Sequence, residues 1–225
     1  MSGQIEPLRG LHVLADDAPH WKHDPVEQAR AACQGKAAVV QLRAKHATDR
    51  ETLAWAVEIR RLTRGCGALF IVNDRFDLAL AADADGVHLG QEDLPPARIP
   101  AAARRRLLVG RSTHTLEQVE TAGSEPVDYV AFGPIFETQS KPSENRTWGP
   151  RLLAAVVEAA APRPIVAIGG IDIGNAAEVI AAGAAGIAVI SAVANADDPG
   201  AATRALTRLL ARTRSAGSHR LRTPA

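Results

Sequence analysis

The sequence predicts a closed (β/α)8 barrel, the TIM-barrel architecture, from three observations: strand and helix signals alternate, eight apolar runs occur, and dinucleotide fingerprints are missing. The runs are rich in Val, Ile, Leu and Phe and begin near Leu11, Ala37, Ala68, Asp85, Leu107, Val127, Pro164 and Gly186. Longer Ala-rich, charged segments separate them, as expected when helices connect parallel strands. An open doubly wound sheet shows the same alternation, but the chain has neither GxGxxG nor GxxxxGK, so the strand count favours the barrel.

Helix-boundary signals fall between the apolar runs and support this alternation. Signals typical of helix starts occur at Asp24-Pro25, Thr48-Asp49, Pro95-Pro96, Thr115 with Gln118, and Gly174-Asn175. Glycines typical of helix ends occur at Gly35, Gly65 and Gly183. We therefore expect helices that return the chain to the start of each next strand.

The length of the chain suits one domain. Its 225 residues, 46% of them hydrophobic, are enough for a sizeable core. From residue 215 the composition turns to Ser, Gly, His, Arg, Thr and Pro. We predict a single barrel domain over residues 1–214 and a disordered C-terminal tail over residues 215–225.

The charge balance and the cysteines restrict the class of protein. Lys and Arg number 26 against 25 Asp and Glu, and this net charge of +1 argues against a nucleic-acid or membrane-surface binder. No apolar run reaches the roughly 18 residues of a membrane helix, and the N-terminus lacks a secretory signal. Cys33 and Cys66 lack metal or disulfide spacing, which is typical of a reducing compartment. We expect a cytoplasmic protein with small-molecule partners.

Two cations and an amide follow the second apolar run. Within QLRAK, residues 41–45, period-two alternation sends Gln41, Arg43 and Lys45 to one side. Because the C-terminal ends of barrel strands build the active site, we expect these side chains at the barrel mouth. The planar fork of Arg and the point charge of Lys suit phosphate or pyrophosphate oxygens. The alternative is an edge strand with solvated basic residues.

Carboxylates follow the third and fourth runs. Asn73 and Asp74 come after one strand, and Asp93 comes after the next. Two neighbouring carboxylates suit Mg²⁺, which completes its octahedron with water and substrate phosphate oxygens. The alternatives are a helix cap at Asp74 and a turn residue at Asp93. Their position beside Gln41, Arg43 and Lys45, which we call the predicted anion clamp, favours the metal site.

The fifth run leads into GRSTHT, residues 110–115. Ser112 is a candidate hydrogen-bonding group for a ligand. His114 is either an acid/base or a structural hydrogen-bonding residue. His88, inside the fourth run, is expected to be a barrel-lining residue whose hydrogen bonds are satisfied.

The last three runs carry signals for a second anion. The longest connection, from Gly133 to Trp148, is polar and contains hydroxyls, an amide and Lys141, which suits a loop that closes over an anion. The alternative is a solvated, mobile lid. The seventh run ends in two glycines, including Gly170, and the eighth ends in Ile190-Ser191. Backbone amides at these two strand ends are typical of a phosphate site.

Taken together, these segments resemble the thiamine phosphate synthase family over about residues 8–210. The matching motifs are QLRAK, VNDRFDLAL, GVHLGQED, GRSTHT, GPIFETQSK, AIGGI and VISA, whose joint order is far more specific than any one of them. The resemblance implies a (β/α)8 barrel that condenses 4-amino-2-methyl-5-(diphosphooxymethyl)pyrimidine with a thiazole (carboxylate) phosphate. The products are thiamine phosphate and pyrophosphate, formed by a dissociative displacement assisted by Mg²⁺.

The resemblance also implies roles for individual residues. The pyrimidine diphosphate would be held by Gln41, Leu42, Arg43, Ala44, Lys45, Asn73 and Lys141. Asp74 and Asp93 would ligate Mg²⁺, and Ser112 would contact the pyrimidine. The thiazole phosphate would be surrounded by Thr138, Gln139, Ser140, Gly170, Ile190 and Ser191. The catalytic residues among these are Arg43, Lys45, Ser112 and Lys141.

Two other functions stay open from the sequence. The sister family of thiazole tautomerases shares the region around GRSTHT, and in such an enzyme His114 would be the acid/base. The paired Asp74 and Asp93, QLRAK and Lys141 favour the synthase, because an isomerase has no pyrophosphate leaving group to stabilise. A sensor that binds phosphorylated ligands without turnover is the non-enzymatic alternative. A monomer and a homo-oligomer both stay open as quaternary states.

Overall fold

The computed structural model describes residues 8–138, 140 and 146–220, and its eight strands close into one barrel. The strands are β1 (Gly10–Asp16), β2 (Val39–Arg43), β3 (Leu69–Asn73), β4 (Gly86–Leu89), β5 (Leu108–Thr113), β6 (Tyr129–Phe132), β7 (Ile165–Ile168) and β8 (Gly186–Val189). Each strand pairs in parallel with the next, and β8 pairs with β1. The predicted (β/α)8 barrel is confirmed.

Helices follow the strands along the chain. They are α1 (Pro25–Gln34), α2 (Asp49–Cys66), α3 (Phe76–Ala81), α4 (Ala101–Arg104), α5 (Leu116–Ser124), α6 (Gly149–Ala160), α7 (Ala176–Ala181), α8 (Ser191–Ala194) and α9 (Pro199–Arg220). The connection between β4 and α4 also contains a 3-10 turn, Pro96–Arg98. The domain boundary predicted after residue 214 falls inside α9. Residues 221–225, the end of the predicted disordered tail, lie outside the described residues.

The predicted capping residues explain where α1 and α2 begin. The Asp24 and Thr48 side chains each accept a hydrogen bond from the backbone N–H three residues later, and a glutamate at that position bonds back to the cap. Such reciprocal capping satisfies backbone donors that a helix start otherwise leaves unpaired. The predicted helix end at Gly65 is wrong. Helix α2 continues to Cys66, because Gly67 supplies the left-handed turn (φ 79°) that ends it.

Two apolar layers fill the barrel. Side chains such as Phe70, Ile59 and Leu153 fill the layer between the strands and the helices. The alternate strand positions, including Ile71 and Val166, fill the interior of the barrel.

Within the described part of the chain, no helix is long and apolar enough to cross a membrane.

Gly110 on β5 leaves space for a polar contact inside the barrel. A Cβ atom at this position would lie 2.2 Å from Tyr129 Cζ and 2.4 Å from His88 Nδ1. We expect Gly110→Ala to lower the free energy of unfolding by about 3 kcal/mol, because overpacking forces strands apart. Urea unfolding measures this loss. The matched control is Gly123→Ala in α5, where the added Cβ would have no atom within 4 Å apart from its chain neighbours and the backbone of its own helix. Equal stability of the two variants would contradict the packing.

His12 on β1 makes stability depend on pH. Its ring is buried and its Nε2 bonds to Leu8 O at 2.8 Å. Burial lowers the pKa of His12 from 6.5 to about 4, the Leu8 carbonyl opposes this shift, and the Arg214 charge adds to it. Because the folded protein holds this ring neutral, its contribution to stability is present above pH 6.5 and is lost as the pH falls through 4. The loss amounts to about 3 kcal/mol.

The expected result is therefore a steeper acid loss of stability in the unmodified protein than in His12→Gln. Glutamine keeps an N–H donor for Leu8 O but does not titrate in this range. Urea unfolding at pH 7.5 and pH 4.5 compares the two proteins. Identical losses between these pH values would show that His12 does not titrate as a buried group.

Candidate functional site

A cavity opens at the C-terminal ends of the strands, where the barrel architecture places active sites. Nine residues predicted from the sequence line it: Gln41, Arg43, Asn73, Ser112, Thr138, Ser140, Gly170, Ile190 and Ser191. These residues come from six different strand ends and the loops that follow them. The strands thus bring together side chains that lie up to 150 positions apart in the sequence. Gln139 and Lys141 lie outside the described residues.

Strand β2 presents the predicted clamp in the expected alternation. Gln41 and Arg43 line the cavity, whereas the Leu42 side chain is buried in the layer facing the helices. Leu42 therefore offers only backbone groups to the cavity. Asp16, at the end of β1, pairs with the Arg43 guanidinium and is itself fully buried. This pair fixes Arg43 at the cavity wall.

Asp16 accepts further hydrogen bonds that the sequence interpretation did not anticipate. Trp21 Nε1 donates to Asp16 Oδ1 at 2.6 Å, and the Ala18 backbone N–H donates to the same oxygen at 3.0 Å. Gln28 of α1 exchanges hydrogen bonds with the Asp16 backbone. Both oxygens of the buried carboxylate therefore have hydrogen-bond donors, Trp21 and Ala18 at Oδ1 and Arg43 at Oδ2. The only sequence signal for it is a polar residue closing the first apolar run, the signal that identified Asp74.

The two predicted metal ligands lie beside each other and beside Lys45. Lys45 Nζ contacts Asp74 Oδ2 at 2.5 Å, and Asp74 adopts a left-handed backbone conformation (φ 64°) that follows β3. Asp93 accepts a hydrogen bond from the Gly90 backbone N–H at 2.6 Å. Burial, together with the adjacent Asp74 carboxylate, raises the pKa of Asp93. Two carboxylates held this close are the donor set that suits Mg²⁺.

The Ser112 hydroxyl contacts His88, which in turn contacts Tyr129. His88 Nε2 lies 2.8 Å from Ser112 Oγ, and His88 Nδ1 lies 2.9 Å from the Tyr129 hydroxyl. His88 is thus a barrel-lining residue with satisfied hydrogen bonds, as predicted. The contact between His88 and Tyr129 spans 41 residues in sequence, so no local pattern identified it.

His114 faces the cavity in a defined tautomer. Its Nδ1 lies 2.7 Å from Gly133 O, and Trp148 Nε1 donates to the His114 carbonyl at 2.7 Å. A carbonyl oxygen only accepts, so Nδ1 carries the proton in the neutral ring. The Nε2 lone pair is then the basic atom of His114, which lines the cavity.

The opposite side of the cavity is backbone-rich. Gly169 and Gly170 both have positive φ (99° and 63°), and a Cβ at Gly170 would lie 2.3 Å from Glu137 O. Glycine is therefore required for this close approach of two loops. Ser140 N donates to Thr138 Oγ1 at 3.2 Å, which orders the described start of the long loop. Ser191, the first residue of α8, completes this side.

Comparison with known sequences identifies the family of this chain. A family model described as thiamine monophosphate synthase matches residues 11–193. The chain is 49% identical over 206 residues to the thiamine-phosphate synthase of Chloroflexus aurantiacus, covering 90% of this chain and 93% of that protein. It is 44% identical over 209 residues to that of Methanoculleus marisnigri, covering 92% and 98%.

A solved structure with the same fold is also similar in sequence. Thiamine phosphate pyrophosphorylase from Pyrococcus furiosus superposes with a TM-score of 0.82 at 38% identity, covering 93% of this chain and 98% of that one. Orotidine 5'-phosphate decarboxylase from Pyrococcus horikoshii, at 18% identity and a TM-score of 0.63, shares the fold alone. On the family match and the close relatives, this chain belongs to the thiamine monophosphate synthase family.

Proposed function

We propose that this protein is a thiamine-phosphate synthase that works at the C-terminal mouth of the barrel. It would join the methylene carbon of the aminopyrimidine diphosphate to the nitrogen of the thiazole phosphate. The observation that carries the proposal is the juxtaposition of Lys45 with the Asp74 and Asp93 carboxylates, two residues along the chain from Arg43 at the cavity wall. Cations beside a carboxylate pair suit a diphosphate that arrives with its own metal ion.

In this proposal the diphosphate is the leaving group. The bond between the methylene carbon and the diphosphate oxygen breaks, and its electron pair leaves with pyrophosphate. Arg43 and Lys45 stabilise the charge that grows on the leaving oxygens. The thiazole nitrogen then donates its lone pair to the methylene carbon. No protein nucleophile is needed, so the cavity walls act by orienting the two substrates and by limiting capture by water.

Asp74 and Asp93 are the residues we propose to hold Mg²⁺. In the described residues no third carboxylate, histidine or cysteine joins them in a cluster. Two adjacent carboxylates suit Mg²⁺, which commonly binds one or two carboxylates and takes its other ligands from water and phosphate. When bound, the ion would supply positive charge to the leaving pyrophosphate. Lys45 already contacts Asp74, so it is within reach of the same anion.

The opposite side of the cavity would take the thiazole phosphate. Gly170, Ile190 and Ser191 contribute backbone and hydroxyl groups there, together with Thr138 and Ser140. Gln139 and Lys141, outside the described residues, are proposed for the loop that covers the substrates. Two anion sites on opposite walls suit a reaction between two phosphorylated small molecules.

The free thiols Cys33 and Cys66 suit a cytoplasmic enzyme.

Thiazole isomerisation is the second candidate, and the His114 tautomer favours it. A basic Nε2 facing the cavity suits proton transfer on a bound thiazole. This activity uses neither a diphosphate nor the Asp74 and Asp93 pair. The carboxylate pair therefore favours the synthase, with isomerisation as the function to exclude.

Product analysis separates the candidate functions. Purified protein with both phosphorylated substrates and Mg²⁺ should form thiamine phosphate, and His114→Ala should keep this activity. A parallel reaction with the thiazole phosphate alone tests isomerisation, which His114→Ala should abolish if it occurs. Binding of both substrates by calorimetry without any product would identify a sensor. Absence of thiamine phosphate at saturating substrates would reject the synthase.

A further inference from the structure

Three buried or half-buried polar groups form a hydrogen-bonded chain along the cavity wall. The Tyr129 hydroxyl lies 2.9 Å from His88 Nδ1, and His88 Nε2 lies 2.8 Å from Ser112 Oγ. All three side chains line the cavity, but Tyr129 is 1% exposed and His88 is 6% exposed, whereas Ser112 is half-buried. Gly110 makes the first of these contacts possible, because a Cβ there would overlap both rings.

The chemistry of these groups fixes the direction of the protons. Burial raises the pKa of Tyr129, so its hydroxyl keeps its proton, and a buried O–H needs an acceptor. Among the described residues, the hydrogen bond that the structure gives the Tyr129 hydroxyl is to His88 Nδ1. A neutral imidazole has one N–H. With Nδ1 accepting, Nε2 carries the proton and donates it to Ser112 Oγ.

We propose that Tyr129 and His88 are positioning residues that make Ser112 a hydrogen-bond donor toward the substrate. Ser112 Oγ receives the bond from His88, so its own proton points to an acceptor in the cavity. This inference rests on the proposed function, in which Ser112 contacts the pyrimidine. The substrate atom facing Ser112 is then a ring nitrogen with a lone pair. The exocyclic amine, a donor, is directed elsewhere in the cavity.

The proton direction has a direct spectroscopic test that needs no substrate. The ¹⁵N chemical shifts of the His88 ring in the labelled protein distinguish the Nε2–H tautomer from the Nδ1–H tautomer. We expect the Nε2–H tautomer in the unmodified protein and a mixture of tautomers in Tyr129→Phe. A predominant Nδ1–H tautomer in the unmodified protein would overturn the proposal, whatever the enzyme's activity.

The effect on the reaction is tested by a double-mutant cycle. Tyr129→Phe should lower kcat/KM for the pyrimidine diphosphate about fivefold, as expected for loss of one oriented hydrogen bond. On the Ser112→Ala background the same substitution should have no further effect, because the group it orients is gone. Additive losses would overturn the proposal. If the unmodified protein forms no thiamine phosphate, the proposed function fails, and the ¹⁵N spectrum still decides the proton direction.

Two further variants separate positioning from structural damage. Thr113 follows Ser112 on β5, its hydroxyl bonds to Ala131 O, and it does not line the cavity. Thr113→Val removes this hydroxyl. Its effect should add to that of Tyr129→Phe. His88→Gln keeps an N–H donor for Ser112 and should retain several-fold more activity than His88→Leu. Equal activity of these two His88 variants, both folded by circular dichroism, would contradict the role of the Nε2 proton.

Discussion

Asp93→Ala and Asp74→Ala should each lower magnesium-dependent formation of thiamine phosphate at least tenfold. Each substitution removes one of the two carboxylates that suit the cation, and tenfold corresponds to about 1.4 kcal/mol of transition-state stabilisation. The Asp74 substitution also frees Lys45 from its contact at 2.5 Å. The free Lys45 charge compensates for part of the lost cation binding, so we expect the larger loss in Asp93→Ala.

A magnesium titration of the initial rate checks this expectation. Both variants should need more Mg²⁺ for half-maximal rate than the unmodified protein. Asp77→Ala is the matched control, because Asp77 pairs with Arg75 on the surface close to the site. Asp77→Ala should follow the unmodified curve. Unchanged rates of Asp74→Ala and Asp93→Ala at low Mg²⁺ would remove these residues from the metal site.

Arg43→Met should lower the free energy of unfolding by about 3–5 kcal/mol, in addition to removing a cation from the clamp. The reason lies in Asp16, whose fully buried side chain then loses the only cation that pairs with it in the described residues. An unpaired buried carboxylate is costly even when Trp21 Nε1 still donates to it. Urea unfolding at pH 7.5 measures this loss.

The double variant Asp16→Asn with Arg43→Met tests the cause. Asparagine is uncharged and still accepts hydrogen bonds from Trp21 and the Ala18 backbone. We expect it to recover a large part of the lost stability but none of the lost activity. If the double variant is less stable than Arg43→Met alone, the Asp16 charge does not cause the loss. This separation matters because activity measured on an unstable Arg43 variant would otherwise confuse folding with catalysis.

The fold was predictable because each signal that carries it is local. Short apolar runs and helix-capping residues can each be recognised within a few residues of sequence. Eight apolar runs separated by helices match the eight strands of a closed barrel. The wrong helix end at Gly65 also comes from the use of local signals alone. Two glycines lie two positions apart at the end of α2, and the backbone conformation that selects Gly67 depends on the final turn.

The site was only partly predictable, because some of its contacts cross the barrel. The clamp on β2 follows from alternation, and Asp74 and Asp93 follow from their place after two neighbouring strands. The partners of these residues do not follow. Asp16 meets Arg43 only when β1 and β2 pair in their observed register, and Tyr129 reaches His88 only across the closed interior. Gly110, which admits that contact, looks like any strand glycine in the sequence.

The stoichiometry of products in one reaction tests the synthase assignment most directly. Purified protein is incubated with the pyrimidine diphosphate, the thiazole phosphate and Mg²⁺, and both pyrophosphate and thiamine phosphate are quantified over time. Synthase activity predicts that the two products appear in a one-to-one ratio and that neither forms when the thiazole phosphate is omitted, apart from slow hydrolysis of the pyrimidine diphosphate. With both substrates present, pyrophosphate release without thiamine phosphate, or no product at saturating substrates, would contradict it.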